Sequence, residues 1–235
     1  MPGNAKDQGE TVLVPARGVH VTGDLVIPDE ARGMVLFAHG RGSSRFSPRN
    51  RSVAGKLRRA GLATFLVDLL TADEELIDEE TRALRFDIDL LAGRLVAVSD
   101  WLAANRRTAG LPLGFFGAST GAAAALVAAA ARPGRVEAVV SRGGRPDLAR
   151  GALVAVCAPT LLILGGRDEQ VLRLNERAME SLSCEKKLAI VPGATHLFEE
   201  PGALEQVAEL AALWFLGHLS PRTQEPDCEA AARVG

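Results

Sequence analysis

Leu111-Pro-Leu-Gly-Phe-Phe-Gly-Ala-Ser119-Thr-Gly121, followed by the alanine-rich run Ala122 to Ala131, decides how the rest of the chain is read. Leu113 to Phe116 has the look of a short buried strand, Gly117-Ala-Ser119-Thr-Gly121 that of a tight turn, and a strong helix former begins at once. A serine hydroxyl is a weak nucleophile until a base reaches it. A sharp strand-to-helix turn lifts Oγ clear of a sheet edge, and flanking glycines remove Cβ atoms that would strike neighbouring backbone. The new helix turns its free N–H groups and positive dipole end toward the place where an oxyanion forms. A glycine-rich turn without chemistry shows the same five residues; the strand before it and the helix after it separate the two readings.

Outward from this turn, strands alternate with helices. Thr11 to Pro15 and Val19 to Ile27 are β-rich runs joined by Ala16-Arg-Gly18, a hairpin pattern. Met34 to Ala38 is continuously apolar, as a strand buried on both faces must be, and it ends in His39-Gly-Arg41-Gly-Ser-Ser44. Pro48 opens a helix with Val53, Ala54, Leu57 and Ala60 inward, and Gly61 stops it. Leu62 to Val67, Val136 to Val140, Thr160 to Leu164 and Lys187 to Val191 read as further strands. Ile88, Leu91, Leu95, Val98 and Leu102 share one face of a long helix, and a closing helix runs from about Pro201 to His218.

This alternation predicts an α/β fold: a mostly parallel sheet of about eight strands, helices on both faces and no large cap domain. The expected organisation is a single domain over residues 11–219 between a flexible N-terminus, 1–10, and a flexible tail, 220–235. In such a sheet the crevice lies beyond the carboxyl ends of the strands. Arg41, Asp68, Ser119, Arg142, Asp168 and His196 all follow predicted strands and so share that edge.

A serine nucleophile needs a base, and the base needs an acid to fix its tautomer. The chain has four histidines. His20 lies in the first hairpin and His218 at the end of the last helix, where a surface cation is the ordinary reading. His39 stands on the correct edge directly before Gly40 and reads as structural. His196, in the loop after the last strand, is left as the base. Asp168, with Glu169 beside it, lies between Ser119 and His196 in the chain and follows a strand; its ordinary use would be a helix N-cap. The order Ser119, Asp168, His196 is that of α/β-hydrolases.

On these residues the chain resembles the α/β-hydrolase superfamily over roughly 11–218, and its short length resembles the dienelactone-hydrolase-like branch. His39 to Asn50 together with Ser141 to Pro146 resemble a bacterial subgroup of that branch. Dienelactone hydrolases carry a cysteine nucleophile where this chain has Ser119. The resemblance implies acyl chemistry and an oxyanion hole built from the backbone N–H groups of Thr120 and Arg41. Arg142, Arg45 and His39 are candidate substrate contacts, the arginines because guanidinium groups at the crevice suit a carboxylate or phosphate.

The expected function is hydrolysis of small carboxylic or thio esters through an acyl-enzyme. The alternatives are a non-catalytic scaffold of the same fold, or a lactone hydrolase acting on an acidic substrate. A nucleotide-binding oxidoreductase would need G-x-G-x-x-G after its first strand, which this chain lacks. Neither cofactor nor metal is expected: Cys157, Cys184 and Cys228 have no paired spacing for a disulfide frame or zinc. A net charge of −2 gives no sign of nucleic acid or an anionic membrane, and the N-terminus has no signal-peptide core, so the expected location is cytoplasmic. The acidic stretch 71–82 is expected to be a solvated helical turn, with a small lid carrying Leu69, Leu70, Leu76 and Ile77 as the second reading.

Overall fold

The computed structural model describes residues 9–40 and 43–219. Eight strands form one sheet in the order β1-β2-β4-β3-β5-β6-β7-β8. They are β1 (Glu10–Ala16), β2 (Val19–Val26), β3 (Met34–Ala38), β4 (Ala63–Val67), β5 (Leu113–Ala118), β6 (Val136–Arg142), β7 (Thr160–Gly165) and β8 (Lys186–Val191). The hairpin β1–β2 and the β2–β4 pair are antiparallel; every later pair is parallel. The α/β reading therefore holds, with one correction at the N-terminus. Residue 10 is already in register opposite Leu25, so the ordered strand begins inside the segment expected to be flexible. Residues 1–8 and 220–235 lie outside the described residues.

The helices are α1 (Pro48–Arg59), α2 (Ala72–Thr81), α3 (Ile88–Ala104), α4 (Thr120–Ala131), α5 (Glu169–Ser181) and α6 (Ala203–His218), with 3-10 segments at Leu84–Phe86 and Pro146–Ala155. Local signals fix their ends. The Ser47 hydroxyl accepts from Asn50 N–H, Pro48 occupies the first turn, and Gly61 follows the last turn of α1 with φ +82°. Thr71 and Glu74 form a reciprocal capping box on α2.

All five residues of β3 are buried, and the strand's alternation splits them between two cores. Met34, Leu36 and Ala38 join α3 and α4 on one face; Val35 and Phe37 join α1 and α6 on the other. Phe37 meets Phe116 of β5 there at 4.9 Å between ring centres. Nine of the twelve residues of α4 are buried, which explains its composition: alanine alone lets a helix press this closely on both sheet and neighbour. Crossovers leave β3 toward β4 on one side and β5 toward β6 on the other, so the sheet's switch point falls between β3 and β5, beside Ser119.

Candidate active site

Ser119 links β5 to α4 with φ +51° and ψ −121°, a backbone state that a residue with a Cβ seldom adopts. Backbone bonds hold it there. Its N–H donates to the Arg142 carbonyl at 3.3 Å, and its own carbonyl accepts from Ala122 and Arg145, both at 3.1 Å. The glycines serve the close approach expected of them: a Cβ on Gly117 would stand 2.4 Å from Ala122 Cα, and one on Gly40 would stand 2.9 Å from Ser119 Cβ. Ser119 occupies the N-cap position of α4, yet its hydroxyl makes no capping bond. Thr120 opens the helix, so its N–H has no acceptor in the helical ladder.

The acid and base are brought together by the loops after β7 and β8. Gly165 packs so tightly on the second loop that a Cβ would lie 2.4 Å from Ala194 O, and Arg167 N–H donates to the same carbonyl at 2.9 Å. Asp168 Oδ2 then stands 2.6 Å from His196 Nδ1. Asp168 does sit at the N-cap of α5, but its carboxylate makes no cap bond and is engaged by the imidazole instead. A carboxylate at Nδ1 keeps the proton on that nitrogen and leaves Nε2 with a free lone pair. Gly143, with φ +51°, lies against the ring; a Cβ there would be 3.4 Å from Nδ1 and Cε1.

Ser119, Asp168 and His196 line one pocket of about 320 Å³. Ser119 Oγ and His196 are not hydrogen-bonded to each other in this structure, a common state of such pairs before substrate arrives. Arg142 lines the same pocket and is 9% exposed, and burial pushes its guanidinium down to about 10 with Arg49, of like charge, adding to the effect.

The other candidates go elsewhere. Arg45 is held by Asp68, through both backbone and guanidinium, and stacks on Phe46, away from the serine pocket. His39 is buried with both ring nitrogens on backbone: Nδ1 at 3.1 Å from Gly40 O, and Nε2 accepting from Leu69 N–H at 2.9 Å. Its ring thus braces the loop, and His39 is absent from the lining of the serine pocket, where a substrate contact was expected of it. Arg41 lies outside the described residues. The stretch 71–82 folds as α2, with Leu69 and Leu70 buried in the core and Leu76 and Ile77 exposed, none of them lining the pocket. The apolar lining comes instead from Phe86, Val171 and Leu197. Sequence reasoning missed these; only Leu197, next to His196, carried a signal. Among the described residues no cluster of His, Cys, Asp and Glu could hold a metal ion, and no helix is long and apolar enough to cross a membrane.

An eight-stranded, mostly parallel sheet with a strained serine between strand and helix, and a paired Asp and His on the same edge, defines an α/β-hydrolase. The chain is 61% identical to a dienelactone hydrolase from Anabaena variabilis, with a TM-score of 0.88, covering 90% of this chain and 99% of that one. It belongs to the dienelactone hydrolase family. Est1E from Butyrivibrio proteoclasticus shares the fold at 18% identity and a TM-score of 0.72, over 89% of this chain and 98% of that one. Two curated proteins from Mycobacterium tuberculosis strains, each named "Putative phosphoribosyl transferase", are 60% identical over 210 residues, 89% of this chain and 46% of theirs. The chain thus spans about half the length of the curated relatives it matches. No family model matches it.

Proposed function

We propose that this protein is a serine hydrolase of small carboxylic or thio esters. One observation carries the reading: Ser119 is held in a strained conformation with its hydroxyl free of capping, in the same pocket as a 2.6 Å Asp168–His196 pair. Strain of this kind persists only where surrounding structure enforces it, and it clusters at reactive sites.

In this mechanism Asp168 holds the His196 ring, whose Nε2 takes the proton of Ser119 as Oγ attacks the carbonyl carbon. The Thr120 N–H, with that of Arg41 as the second donor by family resemblance, stabilises the oxyanion. His196 returns its proton to the departing alcohol or thiol. Water, deprotonated by the same nitrogen, then releases the acid and restores the serine. The phosphoribosyl transferase name belongs to relatives of which this chain covers 46% of the length.

A fluorophosphonate probe tests this directly. Wild type should be labelled, and Ser119→Ala should not; an unlabelled wild type that also fails to cleave a panel of nitrophenyl and thio esters would leave a scaffold protein.

A further inference from the structure

Three positive features meet in the pocket beside Ser119, and no acid within it answers them. Arg142, the last residue of β6, is nine-tenths buried, makes no ion pair among the described residues, and its Nη1 is buried without a hydrogen-bond partner. Arg49, also in the lining, leaves its Nε buried and unpartnered; among the described residues its only carboxylate contact is Glu199, at 3.1 Å and 63% exposed. Arg49 further belongs to the first turn of α1, which contains no acidic residue although the positive end of a helix favours one. The one acid in the described lining is Asp168, already bound to His196. The third arginine there, Arg145, is satisfied by a two-bond contact to Asp147.

A buried guanidinium without a counter-charge is costly to keep, more so with a second cation near it. We propose that Arg142, with Arg49 and the first turn of α1, forms a subsite for a phosphate group carried by the ester substrate of Ser119. The phosphate reading follows from charge and donor number. A carboxylate brings one charge and two coplanar oxygens, enough for one of the two guanidinium groups. A phosphate monoester brings two charges and three oxygens in three directions, enough for both arginines and for the hydroxyls of Ser43 and Ser47, which also line the pocket.

The word substrate rests on the hydrolase reading above; the anion subsite does not, and calorimetry separates them because it needs no turnover. Glycerol 3-phosphate, titrated into the full chain, should bind the wild type and bind it more tightly than glycerate, its carboxylate counterpart. Arg142→Gln should weaken glycerol 3-phosphate by about ten-fold or more, the loss expected for a charge-assisted hydrogen bond. Arg49→Gln should weaken it too, and decides the matter alone if Arg142→Gln does not fold. Arg51→Gln, on the same helix but exposed and paired with Asp24, should leave binding as it was. Absence of binding, indifference to both Arg142→Gln and Arg49→Gln, or glycerate binding equally well would each overturn the subsite. Phosphate binding in a protein that fluorophosphonate does not label and that cleaves none of the ester panel would instead overturn the hydrolase reading alone.

Discussion

Gly121 presses on the end of β3: a Cβ at this position would lie 2.3 Å from Ala38 O and 2.4 Å from His39 O. Backbone cannot rotate aside as a long side chain can, so Gly121→Ala must push α4 away from the sheet. The expected cost is about 1–3 kcal/mol, the usual range for overpacking. Because α4 carries Thr120 at its first position, ester turnover should fall further than stability does. Gly110→Ala, where nothing lies within 4 Å, should melt within about 0.5 kcal/mol of wild type. Equal effects at the two positions in a thermal melt would contradict the packing argument.

Among the described residues the Asp168 carboxylate bonds only His196, and the helix it precedes is left without a side-chain cap. Asp168→Asn should therefore preserve the fold while presenting the wrong ring tautomer to Ser119. Turnover should fall by about 10⁴-fold, the order seen for this substitution in a serine protease triad. Ester kinetics and a circular dichroism spectrum of the same sample check both halves; retained turnover would remove Asp168 from the mechanism.

The hairpin, the buried strands and the serine turn were legible because each rests on a local rule: turn glycines, apolar runs, and a helix former starting after a strand. That Ser119, Asp168 and His196 line one pocket was legible because chain order combined with the edge rule for parallel sheets leaves few candidates. What could not be read is set by distance in sequence. Phe86 reaches the pocket from a 3-10 turn whose sequence carries no mark of it. Arg45 and Arg142 look alike on paper, but Asp68 claims the first and no described acid claims the second. His39 was ambiguous for the same reason: its partners, Gly40 O and Leu69 N–H, are backbone atoms that no residue type announces.

That arrangement at His39 makes stability depend on pH. The ring donates at Nδ1 and accepts at Nε2, which only the neutral form can do, and burial holds its pKa below the ordinary 6.5 despite opposing contributions from Gly40 and Asp68. The unfolded chain takes up a proton near 6.5 while the folded chain does not, so the unfolded state binds more protons in that window. The stabilisation is complete above 6.5 and is lost as pH falls toward the lower folded value. Urea unfolding between pH 7.5 and 5.5 should show declining stability in wild type. In His39→Gln, stability should be lower at pH 7.5 with a flatter slope; an unchanged slope would assign the decline to other groups.

Arg94 ties α2 to the body of the protein. Its guanidinium, 2% exposed, donates to Glu74 Oε2 at 2.6 Å, to Glu74 Oε1 at 2.5 Å and to Leu69 O at 2.6 Å. The bond from Arg94 is the main reason the Glu74 carboxyl titrates below its usual range, so this support is present above the ordinary carboxylate pKa and is lost as acid protonates Glu74. Glu74 is also half of the capping box, so the same carboxylate starts the helix and anchors it. Arg94→Met keeps the apolar stem but strands the carboxylate and the Leu69 carbonyl, at an expected cost of about 3 kcal/mol. Glu74→Gln should cost less, since the amide oxygen can still accept from Arg94. Hydrogen exchange tells an anchor from a general loss of packing: in Arg94→Met, protection should fall first in the amides of 74–82, while β3 and β5 keep theirs. Uniform loss across the sheet would mean that Arg94 supports the core rather than the helix.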